Sequence, residues 1–119
     1  MTKREQLKAI AKRLEEEHTQ RRATLLQDMS KFDPEIELGD VIPEYLDSID
    51  AALGLVERTL PGFSWGLKDG IGTAVAQPIC RLSSEYDEDI VVRRSAHTAP
   101  LAILKAWVAA MIAQLEDGE

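Results

Sequence analysis

The chain has 119 residues, of which 45% are hydrophobic and 29% charged, and its 21 acidic side chains outnumber 14 basic ones to give a net charge of −7. This length suits one globular domain, no apolar run approaches the roughly 18 residues of a membrane span, and the first residues lack the apolar core of a secretory signal. The only cysteine, Cys80, cannot form an internal disulfide, so we expect a protein of the cytoplasm.

Residues 1–31 differ in charge from the rest of the chain. They carry eight basic and five acidic side chains, whereas the remaining residues carry six basic and sixteen acidic ones. Leu7, Ile10 and Leu14 repeat at helical spacing in a stretch without glycine or proline, which predicts a charged N-terminal helix. Its apolar stripe is narrow, so we expect it either to pack on a partner surface or another subunit, or to be a solvated helix with a frayed end.

A connector over residues 32–42 is predicted to precede the main domain, which covers residues 43–119. The second predicted helix begins at Pro43, a residue suited to the first helical position, and ends at the Pro61-Gly62 pair. One apolar stripe runs along it, formed by Leu46, Ile49, Leu53, Val56 and Leu60.

Alternating apolar residues then predict an antiparallel meander of three to four strands. Phe63, Trp65 and Leu67 share one face of the first strand, and Asp69-Gly70 is a two-residue hairpin signal. Pro78 in the second strand indicates a sheet edge or a bulge. The second strand, a polar turn and the third strand are predicted over residues 73–82, 83–89 and 90–96.

The last predicted helix starts behind Thr98, a good N-cap, with Pro100 in its first turn. Its apolar face is broad enough to serve a core and a subunit interface together, and comprises Leu101, Ile103, Leu104, Trp107, Val108, Met111, Ile112 and Leu115. The order helix, strands, helix predicts an α+β fold in which the sheet is sandwiched between helices, with the N-terminal helix as an addition.

No constellation of side chains points to catalysis. Cys80 lacks a neighbouring base, and His18 and His97 lie in different predicted elements without zinc-ligand spacing. The acidic run at residues 85–89 lacks the alternation and the glycine of a calcium loop, and is typical of a solvated hairpin tip. We therefore expect neither an enzyme nor a bound metal or cofactor, and the acidic net charge argues against a nucleic-acid partner.

One segment suits an anionic ligand, because it runs from a strand end into a helix start with its unpaired backbone N–H groups. Its candidate ligand-binding residues are Arg93, Arg94, Ser95, His97 and Thr98, with Trp65 or Phe63 as a stacking surface for a base. Adjacent strand residues alternate between faces, so at least one guanidinium would lie near the helix start and hold a phosphate. In the alternative interpretation, the arginines pair with acidic residues of the 85–89 turn and Thr98 only caps the helix.

Two segments resemble the phage ABA-sandwich domain, a helix–sheet–helix unit of small phage proteins. The first reads PEYLDSIDAAL at residues 43–53 and continues into LPGFSW at residues 60–65, and the second reads HTAPLAILKA at residues 97–106. Some proteins of this family are Thoeris anti-defence sponges, which assemble into oligomers and sequester cyclic ADP-ribose-type signals.

This resemblance implies a phage protein that binds a small phosphate-bearing immune nucleotide in the host cytoplasm without cleaving it, as a homo-oligomer. The alternative function is a protein-interaction module, which would bind a host or phage protein through its N-terminal helix and acidic body.

Overall fold

The computed structural model describes residues 2–15, 22–33, 44–68, 78–84 and 90–118. Its elements in chain order are α1 (Lys3–Glu15), α2 (Arg22–Ser30), α3 (Ile49–Thr59), β1 (Phe63–Lys68), β2 (Ile79–Ser84), β3 (Val91–Ser95) and α4 (Ala99–Gly118). The strands form one antiparallel sheet in the order β1-β2-β3, with α4 packed on β2 and β3, and α1 and α3 packed on α4. The predicted α+β class, the meander and the N-terminal helix are therefore confirmed. None of the helices in these ranges is long and apolar enough to cross a membrane.

The N-terminal segment forms two helices that fold back on each other, rather than one helix over residues 1–31. The guanidinium of Arg13 in α1 lies 3.6 Å from the carboxylate of Asp28 in α2. One continuous helix would separate these two residues by about 22 Å along its axis. The ammonium of Lys3 also lies 5.9 Å from the centre of the Phe32 ring. The start of α1 therefore lies beside the end of α2, and residues 16–21, which connect the two helices, lie outside the described residues.

Helix α4 lies at the centre of the fold. It packs on β2 and β3 and also on α1 and α3, and every side chain over residues 101–108 is buried. A helix that is apolar on most sides is stable where its neighbours enclose it. The sequence analysis expected the broad apolar face of α4 to serve both a core and a subunit interface. Contacts within the chain are sufficient to account for that breadth.

Helix α1 contributes to the same core. Leu7, Ile10 and Leu14 are almost fully buried, and α1 packs on α4. Its narrow apolar stripe is therefore covered by its own chain, and α1 is not the solvated helix of the second interpretation. The predicted N-terminal segment and the predicted main domain share one hydrophobic core.

Helix α3 begins at Ile49, later than the start predicted at Pro43, which lies outside the described residues. The side chain of Ser48 provides the N-cap and accepts a hydrogen bond from the Ala51 N–H at 3.2 Å. The preceding residues form a turn in which the amides of Asp47 and Ser48 donate to the Glu44 carbonyl. A serine cap satisfies a free amide of the first turn, so the helix starts there.

The buried face of α3 also differs from the predicted stripe. Ala52, Leu55 and Val56 are buried, whereas Ile49 is 41% exposed and Leu53 only half-buried. Helix α3 packs on α4, and a hydrogen bond of 2.8 Å from Trp107 Nε1 in α4 to Thr59 Oγ1 joins the two helices. The predicted end is confirmed: Leu60 is the C-cap and Gly62 has a φ of 83°, in the left-handed region that favours glycine.

The strands β1 and β3 match the predicted ones closely, whereas β2 is displaced. It begins at Ile79 and extends to Ser84, because Ser83 and Ser84 pair with the neighbouring strands. Pro78 lies just before β2, where its carbonyl accepts a hydrogen bond from the Ala96 N–H at 3.2 Å. The predicted hairpin at Asp69-Gly70, the first part of the predicted second strand and the 85–89 turn lie outside the described residues.

The strand register divides the sheet into two faces. The face toward α4 carries Phe63, Trp65, Leu67, Cys80, Leu82, Ser84, Val92 and Arg94. The opposite face, here called the open face, carries Ser64, Gly66, Lys68, Ile79, Arg81, Ser83, Val91, Arg93 and Ser95. Cys80 and Leu82 are fully buried, whereas every residue of the open face is exposed or half-buried. The open face therefore has no buried residue among those described.

Candidate anion-binding site

The structure divides the predicted ligand segment between the two faces of the sheet. Arg93 and Ser95 lie on the open face, and Arg94 lies on the face toward α4, because successive strand residues alternate. Across the strand pair, Arg93 lies opposite Arg81 and Arg94 lies opposite Cys80. The two adjacent arginines therefore cannot hold one small ligand together.

Thr98 acts as the N-cap of α4. Its hydroxyl accepts a hydrogen bond from the Leu101 N–H at 3.3 Å, and its carbonyl accepts one from the Ala102 N–H at 3.0 Å. This is the capping role in the alternative interpretation of the sequence. His97 is exposed and has an interaction partner of its own.

Trp65 and Phe63 do not lie beside Arg93. Trp65 is 46% exposed, but it occupies the face toward α4 in register with Leu82 and Val92, so β2 separates it from β3. Phe63 packs against the core. The predicted aromatic stacking surface is thus on the other side of the sheet from Arg93 and Ser95.

Arg94 borders a cleft of about 350 Å³ between α1, α4 and β3. One guanidinium nitrogen of Arg94 donates to the Arg93 carbonyl at 2.7 Å. The cleft has mostly aliphatic walls, and the ammonium of Lys105 lies there 4.0 Å from the Glu15 carboxylate. Because the Glu15 carboxylate lies beside Lys105 in this cleft, the positive charge of Lys105 gives little preference for an anionic ligand.

The open face brings together three cations, here called the cation cluster: Lys68, Arg81 and Arg93. Arg81 and Arg93 are directly opposite each other, Gly66 completes their row on β1, and Lys68 lies two residues beyond Gly66 on the same face. Opposite residues have Cβ atoms about 4.5–5.5 Å apart, and diagonal ones lie at about 7–8 Å. All three side chains are exposed, and no carboxylate of the described residues forms an ion pair with them.

The chemistry of the cation cluster suits phosphate groups. A guanidinium offers a planar fork of N–H donors that matches two phosphate oxygens. Like charges directly opposite each other in a sheet are destabilising, and an anion between Arg81 and Arg93 would relieve that repulsion. Serine hydroxyls extend the polar surface: Ser95 follows Arg93 on the same face, and the Ser64 and Ser83 hydroxyls lie 2.9 Å apart.

The sequence interpretation missed Arg81 and Lys68, because they belong to other strands than Arg93. A signal was present in the alternation: Arg81 separates the buried Cys80 and Leu82, so it points away from the core. Only the pairing register, however, places Arg81 opposite Arg93.

A second polar group, here called the buried cluster, consists of Asp33, Tyr45 and Arg58. The Tyr45 hydroxyl donates to Asp33 Oδ2 at 2.7 Å, while Arg58 Nε and Nη2 donate to Oδ1 at 2.8 Å and Oδ2 at 2.6 Å. Burial and the hydrogen bond to Asp33 raise the pKa of Tyr45 far above its usual value. Both carboxylate oxygens are engaged, so this cluster joins the end of α2 to α3 as a structural link.

Cys80 is buried on the face toward α4. Burial raises the pKa of its thiol to about 11. A thiol with that pKa is protonated at neutral pH and is a poor nucleophile. Its position therefore suits the small buried apolar residue that the sequence predicted.

A scan against models of protein families, a search among curated proteins and a search among solved structures each found no match to this chain. The resemblance to the phage ABA-sandwich family thus stays a prediction from the sequence.

Proposed function

We propose that this protein binds a small phosphate-bearing ligand of the nucleotide class on its open face and sequesters it without chemical change. The cation cluster carries the proposal. Lys68, Arg81 and Arg93 lie together on an exposed surface, although the whole chain has a net charge of −7. A local group of cations without carboxylates among the described residues attracts anions even where the net charge does not.

The nature of the neighbouring residues supports binding rather than turnover. The open face carries serine hydroxyls, aliphatic side chains and cations, and it includes no histidine or carboxylate among the described strand residues. A general base close to the bound phosphate would therefore have to come from elsewhere.

The particular ligand class comes from the family resemblance. A cyclic ADP-ribose-type signal contains a pyrophosphate, and two opposed arginines offer one guanidinium fork for each of two linked phosphates. Within this proposal the protein is a phage product that removes such a signal from the host cytoplasm. The three cations belong to one chain, so the site requires no second subunit, and the predicted homo-oligomer is a separate question for a mass measurement in solution.

The alternative is a protein-interaction module that binds through its N-terminal helix and its acidic body, and helix α1 gives it little support. The apolar stripe of α1 is buried within the chain, and the residues that α1 exposes are mostly charged: Lys3, Glu5, Lys8, Ala9, Lys12 and Glu15. A helix that docks into a partner groove normally presents apolar anchors.

The adjacent arginines provide a matched experiment. Arg93→Ala and Arg94→Ala remove the same group from opposite faces of one strand, and Arg81→Ala removes the opposed guanidinium. We would titrate each variant calorimetrically with pyrophosphate, cyclic ADP-ribose isomers and cyclic di- and trinucleotides, and recover the ligand afterwards by chromatography. We expect at least tenfold weaker binding for Arg93→Ala and Arg81→Ala, because a charge-assisted hydrogen bond contributes about 1.5–3 kcal/mol.

For Arg94→Ala we expect an affinity within about twofold of the parent, which is about 0.4 kcal/mol. The ligand should be recovered intact. An Arg94→Ala effect as large as that of Arg93→Ala would move the site to the cleft beside α4 and refute the proposal. Absence of binding to every probe would refute it as well.

A further inference from the structure

We infer that Gly66 forms the floor of a slot on the open face that admits the planar ring of the ligand. The site would then select a ring-bearing phosphate over an inorganic one. This inference rests on the proposed phosphate site and adds the feature that distinguishes a nucleotide from pyrophosphate.

Nothing in the fold requires a glycine at this position. A Cβ atom built on Gly66 meets no atom within 4 Å, so crowding does not exclude a side chain. Of the described glycines only Gly62 has a backbone conformation that favours glycine. Glycine inside a strand weakens it, and its presence there often marks a place where a ligand approaches the backbone closely.

The absence of a side chain at Gly66 leaves a gap on the open face, and this gap lies beside the cation cluster. Gly66, Arg81 and Arg93 form one row across the three strands, so Arg81 stands between the gap and the third strand. A base can stack on the plane of a guanidinium. A ring that lies on the Gly66 backbone would therefore contact Arg81 while its phosphates reach Arg93.

The gap has one uncharged flank and one cationic flank. Ser64 and Lys68 lie two residues to either side of Gly66 on the same face, about 7 Å away along the strand. The Ser64 hydroxyl lies 2.9 Å from that of Ser83, and each can donate to or accept from a heteroatom. Beside Gly66 the open face thus has an uncharged polar side at Ser64 and Ser83, while Lys68, Arg81 and Arg93 supply cations on its other sides. A nucleotide likewise combines an uncharged ring with anionic phosphates.

The test compares the parent chain with Gly66→Ala and Gly66→Val, using cyclic ADP-ribose, ADP and pyrophosphate as probes in calorimetry. The parent should bind at least one of the two nucleotides tenfold or more tightly than pyrophosphate. Gly66→Val should weaken nucleotide binding to the level of pyrophosphate, Gly66→Ala should lie between, and pyrophosphate affinity should stay within twofold. Melting temperatures no lower than that of the parent show that both variants fold.

The possible failures are distinguishable. If pyrophosphate binds but nucleotides bind no more tightly, or if Gly66→Val leaves nucleotide affinity unchanged, the slot is refuted and the phosphate site stands. If no probe binds the parent chain, the proposed function fails and the slot fails with it.

Discussion

Replacing Arg58 by methionine measures how strongly the fold depends on the buried cluster. The Asp33 carboxylate is fully buried and receives two hydrogen bonds from Arg58, at 2.8 Å and 2.6 Å. Methionine keeps most of the apolar stem of arginine and removes the guanidinium. Arg58→Met therefore leaves a buried negative charge without those two donors.

The expected loss follows from this geometry. Removal of one partner of a buried ion pair typically costs about 3–5 kcal/mol. The Arg58 side chain is 25% exposed, so solvent screens part of the interaction and we take the lower end, about 3 kcal/mol. This loss is a large part of the free energy of unfolding of a domain of this size, which is about 5–15 kcal/mol. For such a domain, a loss of about 3 kcal/mol should lower the melting temperature by about 10–15 °C.

Urea denaturation at pH 7, monitored by far-ultraviolet circular dichroism, measures this loss in the free energy of unfolding. The double variant Asp33→Asn/Arg58→Met removes the orphaned charge and should recover about half of it. Arg13→Met is the matched control, because Arg13 forms a more exposed pair with Asp28 at 3.6 Å, and it should cost about 1 kcal/mol or less. An Arg58→Met loss no larger than that of Arg13→Met, or no recovery in the double variant, would refute the reasoning.

Three further predictions concern packing, capping and pH. Thr59→Val leaves the buried indole N–H of Trp107 without its acceptor and should cost about 1–3 kcal/mol in urea denaturation, whereas Thr59→Ser should not. Thr98→Ala removes the cap of α4 and should lower the free energy of unfolding by about 1 kcal/mol, whereas equal stability would exclude a capping role. Burial raises the pKa of Cys80 from 9.0 to about 11, so above pH 9 the unfolded chain loses a proton that the folded chain keeps. Stability should therefore fall between pH 9 and 11 by up to roughly 3 kcal/mol, and Cys80→Ala should abolish that part of the fall in a pH series of urea midpoints.

Elements with strong local signals were predictable from the sequence. Alternation of apolar residues identified β1 and β3, and the Thr98 cap and Pro100 identified the start of α4, because hydrogen bonding and side-chain direction within one element decide these features. The predicted end of α3 at Pro61-Gly62 was also correct. Gly62 has a positive φ, which glycine adopts without steric cost, so this signal is local to the sequence.

The predictions that differ from the structure depend on contacts between elements. The buried face of α3 depends on its packing against α4, which includes the Thr59–Trp107 hydrogen bond between residues far apart in the chain. The single N-terminal helix became a helical hairpin because α1 and α2 pack on each other. Much of the broad apolar face of α4 is covered by β2, β3, α1 and α3 of the same chain, since apolar periodicity shows that a face is buried but not what buries it.

The candidate site also combines features that follow from local sequence with features that depend on contacts between elements. The sequence by itself determined that Arg93 and Arg94 point to opposite sides, because side chains alternate along any strand. Only the tertiary structure decided that Arg93, Arg81 and Lys68 meet beside Gly66, while Trp65 and Arg94 lie on the other face. The physical reason is that strand register comes from long-range pairing and core burial, and a shift by one residue would move every side chain to the opposite face.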